Sequence, residues 1–164
     1  MPTAPYIQGT SPKRPHFNKT HNHGEEGGLI ELQNKLGYQF KDKEILKRAL
    51  KDKEKEKEED DGVLIMLGKN IMQTCVYYEC LKKNTMIPKA KLQKRLENFW
   101  KRKEYGVEAR RLNLSAYVGS GNENKFQLKN LEAKCYAAVI GAIALDTTID
   151  NAVSVFHTLR KRND

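Results

Sequence analysis

The stretch LKNLEAKCYAAVIGAIAL, Leu128 to Leu145, is rich in alanine and apolar residues and contains no proline. It is too long for an ordinary strand, and its strong helix formers predict a helix buried on much of its circumference. A second apolar stretch, VLIMLGKNIMQTCVYYECL from Val63 to Leu81, is interrupted by Gly68, Lys69, Asn70 and Gln73 and reads as a central buried helix.

The flanking sequence extends this pattern in both directions. Leu29, Leu32 and Leu36 share one helix face, and Gly37 follows as a stop signal. Asp42 is placed to cap a helix carrying Ile45, Leu46, Ala49 and Leu50, and the charged run Lys51 to Asp61 ends it in a solvated loop. Pro88 opens a helix with Leu92, Leu96, Phe99 and Trp100, and another helix spans about Tyr105 to Leu112. Gly119 to Lys125 reads as a loop, and Asp150 is expected to cap a last helix with Ala152, Val153, Val155, Phe156 and Leu159. The expected fold is all-α, with about seven helices, no internal repeat and one domain at 29–162.

Met1 to Gly28 differs in composition, with Pro2, Pro5, Pro12 and Pro15 among Gly, Thr, Asn and His, and is expected to be a disordered tail. Its lack of acidic residues before Glu25 suits an organelle-targeting peptide, whereas its prolines oppose the amphipathic helix of such peptides. His16, His21 and His23 are metal-ligand types, but a flexible tail supplies no preorganised geometry, and no metal or cofactor is expected.

A net charge of +9 over 164 residues favours polyanionic partners: nucleic acid, an anionic membrane or acidic protein. No run approaches the roughly 18 apolar residues of a membrane span, and no apolar signal-peptide core is present, so a soluble, intracellular protein is expected. Cys75, Cys80 and Cys135 lack CxxC spacing and read as small apolar core residues with reduced thiols.

Leu36 to Leu50, LGYQFKDKEILKRAL, resembles the opening of a ribonuclease III domain, and Ala137 to Asp146, AAVIGAIALD, resembles that domain's late helix. Between them, LIMLGKNIM at Leu64 to Met72 is similar to the family's signature LEFLGDAVL, and LQKRLENFWKRKEYGVEARRLNL resembles its middle helices. The resemblance covers about Leu29 to Arg162 in consistent order. It implies a helical endonuclease fold in which two carboxylates from the signature helix and two from the late helix hold Mg²⁺ to hydrolyse double-stranded RNA. At those positions this chain has Ile65, Lys69, Lys134 and Ala137. Apolar groups offer no ligand oxygen and lysines repel a cation, so loss of cleavage is expected. Glu132 is two residues from Lys134 and points elsewhere on a helix; Asp60 and Asp61 precede the signature helix without its geometry.

Between Lys82 and Arg111 lie eleven basic residues, Lys82, Lys83, Lys89, Lys91, Lys94, Arg95, Lys101, Arg102, Lys103, Arg110 and Arg111, against Glu97, Glu104 and Glu108. Such clustering suits phosphate contacts to RNA. Phe99 reads as core, while Trp100 stands between core packing and base stacking.

The resemblance also implies dimerisation through the signature helix, and the apolar face Ile65, Met66, Ile71, Met72 and Val76 suits homodimerisation, pairing with a relative, or an ordinary core. The chain ends too soon for a separate double-stranded-RNA-binding domain, so recognition is expected in this domain, its tail or a partner. The expected function is a non-catalytic RNA-binding or scaffold subunit of a ribonucleoprotein, with the large subunit of the mitochondrial ribosome one setting. The alternatives are a dimerisation partner that modulates an active ribonuclease III or Dicer-like enzyme, and a divergent metal-dependent nuclease.

Overall fold

The computed structural model describes residues 21–51, 62–102, 105–118 and 124–162, with the backbone alone for 21–25 and 102. Eight helices occur among the described residues: α1 (His21–Leu36), α2 (Lys43–Leu50), α3 (Gly62–Lys83), α4 (Lys89–Arg102), α5 (Gly106–Arg111), α6 (Ser115–Val118), α7 (Lys125–Asp146) and α8 (Ile149–Lys161). The all-α reading holds, and the four-residue α6 is an addition too short to show helical periodicity in sequence. The charged run 52–61, residues 119–123 of the expected loop, and Lys103 lie outside the described residues.

α7 is the axis. Its most extensive contact is with α3, and α2, α5, α6 and α8 also pack on it. Residues Cys135 to Ile143 are buried without interruption, which is why the helix shows no polar stripe. Asn124 caps its start with a reciprocal Gln127 bond.

Local signals set the ends of the other helices. α1 stops at Gly37 (φ 70°), where the Tyr38 N–H donates to the Gln33 carbonyl and the Gly37 N–H to that of Asn34, the two bonds of a Schellman turn. α5 ends the same way around Asn113 (φ 55°), with the Leu114 N–H donating to the Ala109 carbonyl. Asp42 caps α2 by accepting from the Glu44 N–H at 2.9 Å.

Two expected boundaries move. The tail was expected to run to Gly28, but α1 begins at His21, so the backbone of His21 and His23 is helical; His16 lies outside the described residues. Tertiary contact explains the extension through a weakly helical Gly27–Gly28 pair: the Tyr117 hydroxyl donates to the Gly28 carbonyl at 2.7 Å, and a Cβ on Gly28 would meet the Tyr117 ring at 3.5 Å. At the other end, Thr148 rather than Asp150 caps α8. Thr148 has the extended dihedrals a cap requires and accepts from the Asn151 N–H, while Asp150 sits in the first turn, where its charge complements the helix dipole.

The two motif segments meet at Asp146. Its carboxylate accepts from the Tyr38 hydroxyl at 2.6 Å and from the N–H groups of Lys41 and Asp42 at 2.9 Å each. The end of α7 is thereby tied to the start of α2.

Candidate functional site

The α3–α7 seam is built on two glycines. A Cβ on Gly68 would collide with the Ala137 carbonyl oxygen, and one on Gly141 would collide with that of Leu64. Only hydrogen at these positions lets the two backbones touch. Because Leu64 faces Gly141 and Gly68 faces Ala137, the helices run antiparallel.

This contact fixes where the four candidate positions project. Lys69 is one residue beyond Gly68, a turn of about +100°, and Lys134 is three before Ala137, a turn of about −300°, equivalent to +60°. Equal-sense rotations on antiparallel helices point to one flank, so Lys69 and Lys134 emerge on the same side of the seam. Both are exposed, and neither forms an ion pair among the described residues. Ile65, one turn before Lys69, is half-buried against the core, and Ala137 is wholly buried in the seam. The end of α2 packs on α7 beside these positions, where the Cys135 thiol lies 3.8 Å from the Ala49 carbonyl.

None of the four side chains offers an oxygen to a divalent cation. Glu132 is buried and lies about 200° around α7 from Lys134, on the far flank. Asp60 and Asp61 lie outside the described residues. Among the described residues no three His, Cys, Asp or Glu side chains are grouped as a metal would require. The donor set present here does not fit Mg²⁺.

The basic residues of 82–111 are spread over three helices. Lys82 and Lys83 close α3, with Lys82 5.5 Å from the Tyr78 ring centroid; Arg110 and Arg111 close α5, where Arg111 donates to the Arg162 carbonyl at 2.6 Å. On α4 the helical phase collects Lys91, Lys94 and Lys101 on one stripe, away from Leu92, Leu96 and Phe99, while half-buried Arg95 borders the apolar face beside Phe99 and Lys89 falls toward the apolar side. Arg102 is in phase with that stripe by backbone position. Lys101 pairs with Glu97 at 3.8 Å. Phe99 is fully buried, and half-buried Trp100 packs edge-on against Phe99 and Tyr105, which makes it core rather than a stacking platform.

Sequence reading missed Arg160. Its Nη1 donates to both Glu79 oxygens at 3.0 and 3.2 Å, and its guanidinium lies 5.4 Å from the Phe156 centroid and 5.6 Å from that of Phe99. His157 Nδ1 lies 3.1 Å from Glu79. With Lys83 and Arg95, Arg160 and Glu79 line a cavity of about 340 Å³ between α3, α4 and α8. The only sequence signal was the basic last turn of α8, which looks like a solvated helix end.

A family model described as ribonuclease-III-like matches residues 42–162, with the α3–α7 crossing inside the matched region. This chain belongs to the ribonuclease III-like family. Ribonuclease 3 of Sulfurovum sp. (strain NBC37-1) is 26% identical to it over 129 residues, which make up 76% of this chain and 58% of the relative. The chain thus spans little more than half the length of that curated relative. Two solved structures of the ribonuclease III nuclease domain from Campylobacter jejuni are each 25% identical. One superposes with a TM-score of 0.73, covering 82% of this chain and 97% of the solved one, and is described for structural flexibility in its region involved in dimer formation. The other gives 0.71, covering 82% and 94%.

The α3 face that suited pairing or an ordinary core divides by burial within this ribonuclease III-like domain. Ile71, Met72 and Val76 belong to its core, because their side of α3 packs into the fold. The exposed apolar residues of α3 are separated: Val63 and Met66, 59% and 65% exposed, lie at its start and Leu81 near its end, with polar Asn70, Gln73 and Thr74 between them on that side.

Proposed function

We propose that this protein is a non-catalytic member of the ribonuclease III-like family that binds structured or double-stranded RNA through phosphate contacts, as a scaffold subunit of a ribonucleoprotein such as a mitochondrial large ribosomal subunit. The observation that carries the reading is the absence of a carboxylate at Ile65, Lys69, Lys134 and Ala137, on two helices whose backbones touch. Cleavage in this family's manner needs a metal held by oxygens on that flank. Two cations there favour a phosphate instead. The net charge of +9 and the basic stripe of α4 support a polyanionic partner.

The test is incubation with a labelled RNA duplex in Mg²⁺ and in Mn²⁺. The expected outcome is a retarded complex with intact RNA; cleavage that scales with protein and survives stringent repurification would overturn the reading in favour of a divergent nuclease.

A second reading has an observation of its own. The exposed Val63 and Met66 at the start of α3 are apolar surface suited to a partner, and support pairing with a copy of itself or with a related, active ribonuclease III. Crosslinking in cells, followed by identification of both bound RNA and bound proteins, separates the two: ribosomal RNA and proteins support the scaffold, a catalytic relative alone supports the modulator.

A further inference from the structure

We infer that the flank of the α3–α7 seam that carries Lys69 and Lys134 is a seat for one phosphodiester segment of RNA, in which two ammonium groups take the place of a divalent cation; this rests on the RNA-binding reading above.

Three observations lead to it. The close Gly68–Ala137 contact makes the two helices one rigid body at this point, so the two lysines stand at a fixed separation set by backbone and not by loop position. Their helical phases bring them to the same flank, whereas the acidic neighbour Glu132 turns to the other side. Neither ammonium group is committed to a carboxylate among the described residues, in contrast to Lys35, Lys47, Lys101 and Arg160, which all are. Two cations on one flank, without a carboxylate partner among the described residues, repel each other and are relieved by an anion between them. Half-buried Ile65, one turn before Lys69 on the same flank, and buried Ala137 in the seam border the lysines with apolar surface, which weakens competition from water for that anion.

The partner is the sugar–phosphate backbone, because the lysine ammonium is a compact point charge with rotatable donors that suits phosphate oxygens and imposes no planar, bidentate fit. Contacts of this kind position RNA without selecting its sequence.

The experiment measures binding of a fluorescein-labelled RNA duplex over a salt series for four full-length proteins: wild type, Lys69→Ala/Lys134→Ala, Lys69→Arg/Lys134→Arg, and Lys91→Ala/Lys94→Ala. Each lost phosphate contact flattens the log–log salt dependence by about one unit. The alanine pair is expected to flatten it by about two and the arginine pair to keep the wild-type slope, while the α4 pair reports the contribution of that separate stripe. An alanine pair that keeps the wild-type slope, while the wild type binds, overturns this seat and leaves the RNA-binding reading standing. A wild type that binds no duplex at low salt overturns both. Because both lysines are exposed and make no ion pair, the alanine pair is expected to melt like the wild type; should it fail to fold, an arginine pair with an altered slope would itself overturn the proposal.

Discussion

Gly68 of α3 packs against the carbonyl of Ala137 on α7 so closely that the amide nitrogen of Gly141 is 3.0 Å from where a Gly68 Cβ would sit. A methyl group there meets backbone, which cannot rotate aside. Gly68→Ala is therefore expected to push the two helices apart and cost at least about 3 kcal/mol, the upper end of ordinary overpacking. Chemical denaturation of the variant checks this, and a midpoint equal to the wild type would show that the seam is looser than described.

Asp146 anchors the other end of α7. Burial is the largest single influence on its carboxyl and pushes the pKa up, but the hydrogen bonds from Tyr38, Asp42 and Lys41, with the Lys41 charge, together hold it below the ordinary value. A carboxylate whose folded pKa is depressed contributes stability that is full above its unfolded value, near 4, and is lost as pH falls through the folded one. Asp146→Ala should cost about 2 kcal/mol at neutral pH, as hydrogen bonds to a charged group imply. The difference between variant and wild type should shrink as the melts are taken below pH 4. A difference that stays constant from pH 7 to pH 2 would count against the charge as the cause.

Tyr136 is wholly buried, and its hydroxyl has no hydrogen-bond partner among the described residues. Burial, assisted by the Glu108 charge and opposed by Arg160, keeps its pKa well above the ordinary value, so the group stays neutral and undonated. Removing a buried hydroxyl without a partner recovers its desolvation cost, about 1 kcal/mol or more. Tyr136→Phe should raise Tm by a few degrees, roughly 2–4 °C for a chain of this size; a lower Tm would reveal a hydrogen bond at that oxygen.

Burial drives the Cys75 thiol up to about 11, with the nearby Glu79 charge adding to the shift and Arg160 opposing it. The thiolate is the nucleophile, so a maleimide at pH 7.5 should label half-buried Cys80 first and reach Cys75 and Cys135 only on unfolding. Labelling of native Cys75 at the rate of Cys80, read by mass spectrometry, would contradict this.

Much of the fold is legible in local chemistry. Gly37 stops α1 because only a residue tolerant of positive φ closes that turn, and Asp42 caps α2 through its own side chain. Where tertiary contact decides, local signals mislead: Gly27 and Gly28 look like a break until Tyr117 lies on them, and Asp150 looks like a cap until the exit from α7 gives Thr148 the extended backbone. The site divides similarly. Ile65, Lys69, Lys134 and Ala137 were readable because the two helical motifs resemble those of a known family, whereas the split of the basic segment among three helices depends on turns that no charge pattern encodes. Arg160 was invisible because its partner Glu79 is far away in sequence.

The glycine seam also sets a timetable for the nascent chain. Gly68 and Ala137 are separated by about seventy residues, so α3 leaves the ribosome well before its partner helix exists. At synthesis rates of about 5–20 residues per second, the apolar surface around Leu64, Ile71 and Met72 waits several seconds for α7, the helix with which α3 makes its most extensive contact. Slowing translation between α3 and α7 should therefore lengthen the period in which chaperones capture this chain, whereas slowing it after Asp146 should not.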